Sequence, residues 1–291
     1  MQVALARMPD DHPRRPELVD RQTDLVLAHK AAWAAHLRGL VDPDGVEFRR
    51  GLPDSVAVDA AVFAARGEEL FARTRTPAGR SYLRRVYLKD PSAALPRLVA
   101  CPALAHVEEL GLAWGDLGNG GVALLARCPH FSNLRGLDLS FNRIDDAGVR
   151  ALAASARFPR LDRLALNDNE QITWDGVTAL AASPFFAGLT DLDLGRNDVN
   201  DAGVRALAES HSLTCLNSLR LAGNHIGDAG VAALVGSALF RRMLARDGRI
   251  DLRANAVGVA GAEALAASVD LVRATVLDLD KNYLGDRGAV V

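Results

Sequence analysis

The glycine-rich segment GDLGNGG at residues 115–121 could be taken for a phosphate-binding loop. A loop of that type ends in Lys followed by Ser or Thr, because the ammonium group and the hydroxyl contact the phosphates and a metal ion. This segment lacks that pair, and its glycines fall at positions that recur along the chain. We therefore interpret these glycines as structural.

Metal ligation is the second chemistry considered. Cys101 and Cys128 lie 27 residues apart and are each followed by Pro. This spacing gives them equivalent places in successive repeats, which favours small buried side chains over a metal-binding pair. The chain has no Cys-x-x-Cys or His-Glu-x-x-His spacing, and its seven histidines do not cluster by repeat position. We predict that it binds no metal.

Nucleophilic catalysis would need a positioned Ser or Cys. No Gly-x-Ser-x-Gly elbow is present. Ser, His and Asp side chains from different repeats could still converge, but the sequence does not indicate which. We predict no catalytic residues, no cofactor and no enzymatic activity.

Composition excludes several partner classes. The 291-residue chain has 34 basic and 36 acidic residues, a net charge of −2, so neither nucleic acid nor a membrane is an expected partner. Its 49% hydrophobic content is typical of a globular protein. No apolar run reaches the roughly 18 residues of a membrane span, and three cysteines fit a reducing compartment. We predict a cytoplasmic protein.

An internal repeat sets the fold. LRGLDLSFNRIDDAGVRALAAS begins at Leu134, LTDLDLGRNDVNDAGVRALAES at Leu189 and LNSLRLAGNHIGDAGVAALVGS at Leu216. The frame is L-x-x-L-x-L-x-x-N-x-[IV]-x-x-x-G-[VA]-x-x-L, and self-similarity at this period predicts a solenoid. Its Asn position is occupied, at intervals of 27, 28, 27, 31 and 27 residues, by Asn142, Asn169, Asn197, Asn224, Asn255 and Asn282.

Each repeated position has a physical reason. Leu164 and Leu166 alternate with polar or small residues, which predicts a short strand with one buried face. The Asn amide can satisfy backbone groups of neighbouring coils. The glycine that follows allows close approach of the adjacent coil. The helix that begins there can be capped by Asp145, Asp146, Asp201 or Asp228.

These residues resemble the leucine-rich repeat family, in its ribonuclease-inhibitor-like subclass. The resemblance implies an α/β solenoid, curved as a horseshoe, with parallel strands inside and helices outside. We assign residues 81–291 to one degenerate and seven clear repeats, the last of them incomplete. The family binds many unrelated partners, so the resemblance indicates fold more than function.

Residues 1–80 do not repeat. Apolar residues from Leu18 to Leu37 predict a helix that stops at Gly39, and a strand-like segment at Phe48 and a helix over residues 59–73 follow. The strings LARMPDDHPRR and FRRGLPDSVAVDAAVF resemble the second half of a repeat-companion domain of some environmental bacteria, which implies a mainly helical segment of bacterial origin. An acidic, helical first half normally precedes this point, so we expect an internal start at Met1 or a clipped gene.

The last repeat stops where its helix should begin. Solenoid ends normally carry a polar cap. We expect a fragment or a divergent, fraying end; the alternative is that another molecule covers it, including self-association through this edge.

Strand residues between the leucines point away from the core and predict a polar protein-binding face. Charges kept there for solubility are the competing explanation. Trp114 and Trp174 lie near two strand exits and are candidate anchors, although we place Trp174 in the helix-side core. The candidate partner-binding residues are Asp138, Arg163, Asp191, Asp193, Arg220, Arg249, Asp251, Arg253 and Asp278.

The first hypothesis is a non-catalytic module that binds a protein partner through this face and its adjacent loops. The alternative is a regulator of an enzyme, either GTPase-activating or ribonuclease-inhibitor-like. For the GTPase case the candidates are Arg143 and Arg196 on the strand-exit loops.

Overall fold

The computed structural model describes residues 8–9, 12–49, 52–75, 81–268 and 276–285. The chain divides into two compact units, residues 1–111 and 112–291. The incomplete end of the last repeat and Gly288 lie outside the described residues, as does Met1.

The first unit combines helices with four paired strands. Strands β1 and β2 are antiparallel, and β2, β3 and β4 follow in parallel order. The Asp59 carboxylate ends β2 and caps the next helix by accepting from Ala61 N at 2.8 Å and Val62 N at 3.0 Å. The elements are α1 (Arg15–Trp33), β1 (Val46–Arg49), β2 (Leu52–Asp59), α2 (Ala60–Arg73), β3 (Arg85–Lys89), α3 (Pro91–Leu98) and β4 (Glu109–Gly111), with 3₁₀ helices at Ala35–Leu37, Pro43–Gly45 and Pro102–His106.

In the second unit, three-residue strands alternate with helices. The strands are β5 (Gly136–Asp138), β6 (Arg163–Ala165), β7 (Asp191–Asp193), β8 (Ser218–Arg220), β9 (Arg249–Asp251) and β10 (Val276–Asp278). The helices are α4 (Gly118–Leu125), α5 (Asp146–Ala153), α6 (Trp174–Ala182), α7 (Asn200–Ala208), α8 (Asp228–Val235), α9 (Ala238–Leu244) and α10 (Val259–Ala266), with a 3₁₀ helix at Pro184–Phe186. The 31-residue interval between Asn224 and Asn255 contains α9 as an additional helix.

Strands β5 to β10 pair in chain order, and every pair is parallel. The register advances by one repeat at each step, so Leu137 pairs with Leu164 and Leu164 with Leu192. These leucines are at most 2% exposed, and the helices α5 to α8 pack on one another in sequence. The α/β solenoid predicted from the repeat is therefore confirmed.

Phenylalanines fill the core on the return limb of the coils, between each helix and the next strand. Phe131 and Phe158 stack with their ring centroids 5.5 Å apart, and both are at most 1% exposed. Phe186 and Phe240 are buried at the same stage of later coils. Full burial of such side chains stabilises by roughly 1.5–3 kcal/mol each.

Each repeat Asn connects its own coil to the preceding one. Asn169 Oδ1 accepts from Asn142 N and Ile144 N at 3.0 Å, and its amide nitrogen donates to Leu139 O at 3.2 Å and Leu166 O at 2.8 Å. Four other repeat asparagines likewise accept through Oδ1 from N–H groups of the preceding coil and donate through Nδ2 to carbonyl groups: Asn142, Asn224, Asn255 and Asn282. Asn197 donates to Leu166 O and Leu194 O at 3.0 Å. These amides satisfy backbone groups that burial would otherwise leave unpaired.

The helix caps differ from the sequence prediction. Asp145 does cap its own helix, since it accepts from Ala147 N at 2.7 Å. Asp146 instead accepts from Thr173 N at 2.8 Å and Gly176 N at 3.0 Å in the next coil. Asp146 is already inside the first turn of its own helix, where its carboxylate lies close to the free N–H groups at the start of the next helix. The prediction was wrong in the same way for Asp201, which accepts from Gly227 N, and for Asp228, which accepts from Gly258 N and Gly261 N.

The glycines at the helix starts are required by this contact. A Cβ on Gly230 would lie 2.5 Å from Asp201 Oδ1, and a Cβ on Gly148 would lie 2.6 Å from Asn119 Oδ1. Both distances are shorter than carbon and oxygen atoms tolerate. The predicted crowding of the neighbouring coil is therefore confirmed at these positions.

Candidate functional site

The strands of the second unit carry two columns of residues that point away from the core. Alternate strand residues point away from the core, because the central leucine or isoleucine of β5 to β9 is at most 2% exposed. In register, one column runs Arg163, Asp191, Ser218 and Arg249, and the other runs Asp138, Ala165, Asp193, Arg220, Asp251 and Asp278. Arg253 lies two residues beyond Asp251. The structure thus places all nine sequence-predicted residues on or beside one face of the sheet.

Strands β5 and β7 form the acidic part of this face. Asp138 accepts from Ser140 N at 3.0 Å, and Asp193 accepts from Gly195 N at 3.0 Å. Burial raises the pKa of Asp193, and the charges of Asp251 and Asp138 add to the rise; the Gly195 N–H and Arg220 offset only part of it. Asp193 is therefore a carboxylate that the fold holds against its preference for water.

Asp191 and Arg163 occupy the other column. Asp191 Oδ2 accepts from Thr190 Oγ1 at 2.9 Å. Arg163 Nε lies 3.8 Å from Asp162 Oδ1, and 46% of its side chain is exposed. Both charges remain reachable from solvent beside the acidic part of the face.

Strands β8 and β9 each carry one arginine, Arg220 and Arg249, and Arg253 follows β9. Arg253 clamps Asp251 by donating from Nε at 3.0 Å and from Nη2 at 2.7 Å, and its Nε lies 3.3 Å from Asp278 Oδ2. Burial raises the pKa of Asp251, but the Arg253 hydrogen bonds and charge outweigh it and hold that pKa below its usual value. Arg220 Nη1 lies 3.5 Å from Asp193 Oδ2.

Arg249 is exposed and has no ion-pair partner in the part of the chain that the structure describes. Together with Arg220, Asp251 and Arg253 it lines a shallow hollow of about 190 Å³. An uncompensated guanidinium beside such a hollow is suited to bind a carboxylate from outside the chain.

The strand-exit loops form a second distinctive edge. The residue before each repeat Asn has positive φ, as Phe141 does at +56°, and so does Trp114 at +61°, which precedes Gly115 at the Asn position of the first coil. Their rings stack with centroids 3.8 Å apart, and Trp114 is 74% exposed. The sequence indicated Trp114 but missed Phe141, although an aromatic residue in two successive repeats at this position was the signal.

Trp174 does not lie in the core, contrary to the sequence prediction. It is 49% exposed at the first residue of α6. The corresponding helix position is Asp146 in one neighbouring coil and Asp201 in the other, so the position is polar and lies outside the apolar core. Hydrophobicity alone was misleading here.

The arginines proposed for GTPase regulation are both exposed and ion-paired. Arg143 Nη1 lies 3.0 Å from Asp116 Oδ1, and Arg196 Nη1 lies 3.5 Å from Asp168 Oδ1.

The glycine-rich segment and the two repeated cysteines lie in environments that the repeat fold explains. The N–H groups of Gly115 and Leu117 donate to Asn142 Oδ1 at 3.1 and 3.2 Å. These two donors of the glycine-rich segment are therefore already bonded to the next coil. Cys101 and Cys128 are both buried, and burial raises the pKa of the Cys101 thiol. Across the described residues there is no cluster of three or more His, Cys, Asp or Glu that could hold a metal ion. In the same part of the chain, no helix has the length and apolarity to cross a membrane.

Three segments of the chain, residues 132–153, 189–208 and 212–235, match the family model described as Leucine Rich repeat. No curated protein sequence matches the chain. Among solved structures, it is similar to the crystal structure of an internalin from Listeria monocytogenes strain 4b F2365, with 19% identity and a TM-score of 0.41. That alignment covers 79% of this chain and only 66% of the internalin chain. The matched segments are leucine-rich repeats, and the strand–helix coils of the second unit form a leucine-rich-repeat solenoid.

Proposed function

We propose that this chain is a non-catalytic module that binds a protein partner through the exposed face of β5–β10 and the adjacent loops. The observation that carries the proposal is the pair of charged columns, in which Arg249 is exposed and unpaired within the described residues. Leucine-rich repeats generally act in protein–protein interaction, which supports a protein as the partner.

Size supports participation of the loops. Six strands about 4.8 Å apart span about 24 Å, and five residues across a strand and its exit span about 17 Å. The resulting face of roughly 400 Å² is half of the roughly 800 Å² that each partner contributes to a standard interface. A stable complex therefore needs the strand-exit loops as well as the face.

The distribution of charge would orient the partner. The β5–β7 part carries three carboxylates against one guanidinium, whereas the β8–β10 part carries three guanidinium groups against two carboxylates: Asp138, Asp191, Asp193 and Arg163 in the first, and Arg220, Arg249, Arg253, Asp251 and Asp278 in or beside the second. A partner with the opposite order of charges would be attracted in one orientation and repelled in the reverse one. We expect such binding to weaken as ionic strength rises.

The test is affinity capture from the native host lysate with wild type and an Arg220→Glu, Arg249→Glu variant. The matched control is Arg205→Glu, Arg241→Glu, which makes the same charge change at exposed positions on α7 and α9. We expect a protein that is captured by wild type and the control but lost by the face variant. Equal capture by all three baits, with circular dichroism showing that each is folded, would reject the face as the binding surface.

The regulation of an enzyme remains the alternative prediction, and its test is a change in the hydrolysis rate of a host GTPase on addition of this chain. The ribonuclease-inhibitor-like subclass, the companion domain, the 80/81 boundary, the bacterial source and the cytoplasmic location stay part of the proposal. So does self-association through the last repeat, which light scattering at several concentrations would test.

A further inference from the structure

The Trp114–Phe141 pair is not explained by the repeat fold. Trp114 is 74% exposed, so its ring contributes little to the core. Positive φ is strained for a bulky side chain, and the same position is occupied by Gly223 and Ala254 in later coils. The fold therefore accepts small residues here, and two stacked aromatic rings are a specific feature of this edge.

A hollow of about 380 Å³ adjoins the two rings. Besides the aromatic pair, it is lined by Asp116, Arg143, Asp168, Asn169 and Glu170. Three carboxylates against one guanidinium leave this lining with a net charge of −2.

The three carboxylates of this lining differ in whether they have an ion-pair partner within the chain. Asp116 pairs with Arg143 at 3.0 Å. Asp168 accepts from Asn167 Nδ2 at 2.8 Å, and its other oxygen pairs with Arg196 Nη1 at 3.5 Å. Glu170 is exposed and has no ion-pair partner among the described residues. Acidic charge beside the rings is thus left for a ligand to neutralise.

We propose that this hollow recognises an arginine side chain presented by a protein partner. A planar guanidinium stacks on aromatic rings and also pairs with carboxylates in a bidentate manner, and Trp is the best ring for cation–π attraction. The excess negative charge disfavours phosphate-bearing ligands. A neutral sugar could stack on Trp114 but would leave the Glu170 charge without compensation. The proposal rests on the proposed function in that the ligand is part of a protein, but it concerns the strand-exit edge and not the sheet face.

The test uses the full chain with ¹⁵N-labelled tryptophan and follows the indole N–H signal of Trp114, assigned with Trp114→Phe. The probes are the capped tripeptide Gly-Arg-Gly, the same peptide with neutral citrulline in place of Arg, and methyl glucoside. We expect a saturable shift with the arginine peptide at millimolar concentration, weakening at high salt, and at least fivefold weaker binding of the citrulline peptide.

Glu170→Gln should weaken binding of the arginine peptide roughly fivefold, whereas Glu209→Gln, an exposed neutralisation at the end of α7, should leave it unchanged. Equal shifts with the arginine and citrulline peptides, or no shift with either at 20 mM probe (a concentration of about ten times a 2 mM Kd), would overturn the proposal. A shift with the glucoside alone would identify a carbohydrate site instead. Because the peptide titration does not involve Arg220 or Arg249, its failure is distinguishable from failure of the sheet-face function.

Discussion

At the scale of single residues, the repeat Asn is a connector whose loss has a calculable cost. Asn169 is 3% exposed and its side chain makes five hydrogen bonds, two of which satisfy N–H groups of the preceding coil. A hydrophobic replacement of similar size could fill the space but could not satisfy those donors. The identity of this residue follows from hydrogen bonding and not from packing.

Asn169→Ala is expected to lower the free energy of unfolding by on the order of 3 kcal/mol, because two buried N–H groups lose their acceptor at about 1–3 kcal/mol each. Chemical denaturation followed by circular dichroism measures the change. Gln171→Ala, an exposed change in the same loop, is the control and should cost under about 0.5 kcal/mol. Similar losses for the two variants would contradict the connector role.

Two aspartates in one strand column, Asp193 and Asp251, should affect stability with opposite signs. The pKa of Asp193 is raised, so its charged form is unfavourable, and stability falls as pH rises from the ordinary Asp range through the raised value. The pKa of Asp251 is lowered, so its stabilisation is complete above the ordinary Asp range and is lost as pH falls through the lowered value.

Asp193→Asn should therefore unfold at a higher temperature than wild type at pH 7, while Asp251→Asn should unfold at a lower one. Both differences should shrink as the pH is lowered through the titration range of each carboxylate. Thermal unfolding of the three proteins from pH 3 to pH 7 provides the measurement. If the two variants shift in the same direction at pH 7, the assigned pKa directions are wrong.

At the scale of elements, the starts of four helices, α5, α6, α8 and α10, depend on a side chain of the coil before them. Asp146 supplies the acceptor for Gly176 N and Thr173 N, and the absence of a Cβ at residue 176 lets the carboxylate approach. The Asp146 cap and Gly176 therefore depend on each other, although they belong to different coils.

A double-mutant cycle tests this coupling. Asp146→Ala should cost about 1 kcal/mol as a lost helix cap. Gly176→Ala should cost about 1–3 kcal/mol because its Cβ would meet the Asp146 side chain. The double variant should cost less than the sum, since removing the carboxylate makes room for the methyl group. Additive losses in urea titrations would show that the two residues act independently.

The sequence predicted the elements better than it predicted the contacts between them. Strand alternation and the Asn spacing were sufficient to predict parallel coils and the residues facing outward. Spacing could not show that Asp146 bonds to the following coil, because its own helix start lies equally near in sequence. Trp174 was assigned to the core from its hydrophobicity, although the Asp at the same position of neighbouring coils indicated exposure.

At the scale of the whole molecule, the second unit is built by nearest-neighbour contacts. The Asn side chains bond to the preceding coil, whereas Asp146, Asp201 and Asp228 bond to the following one. Stability in such an array is approximately a sum over coils and the joints between them. The sheet face follows from this regularity and could be predicted from the sequence. The stacking of Trp114 on Phe141 could not, because the sequence gives the position of each ring along the chain and not its orientation.

This pattern of joints has a mechanical consequence. A force that pulls apart the two ends of the second unit loads the terminal joint first, since no side-chain bond described above skips a coil. Coils should therefore detach one after another, and each 27-residue coil should lengthen the chain by about 90 Å when extended. An optical-trap trace would then show successive increases in extension of nearly equal size. Unfolding of the whole unit in a single event would mean that the coils unfold cooperatively.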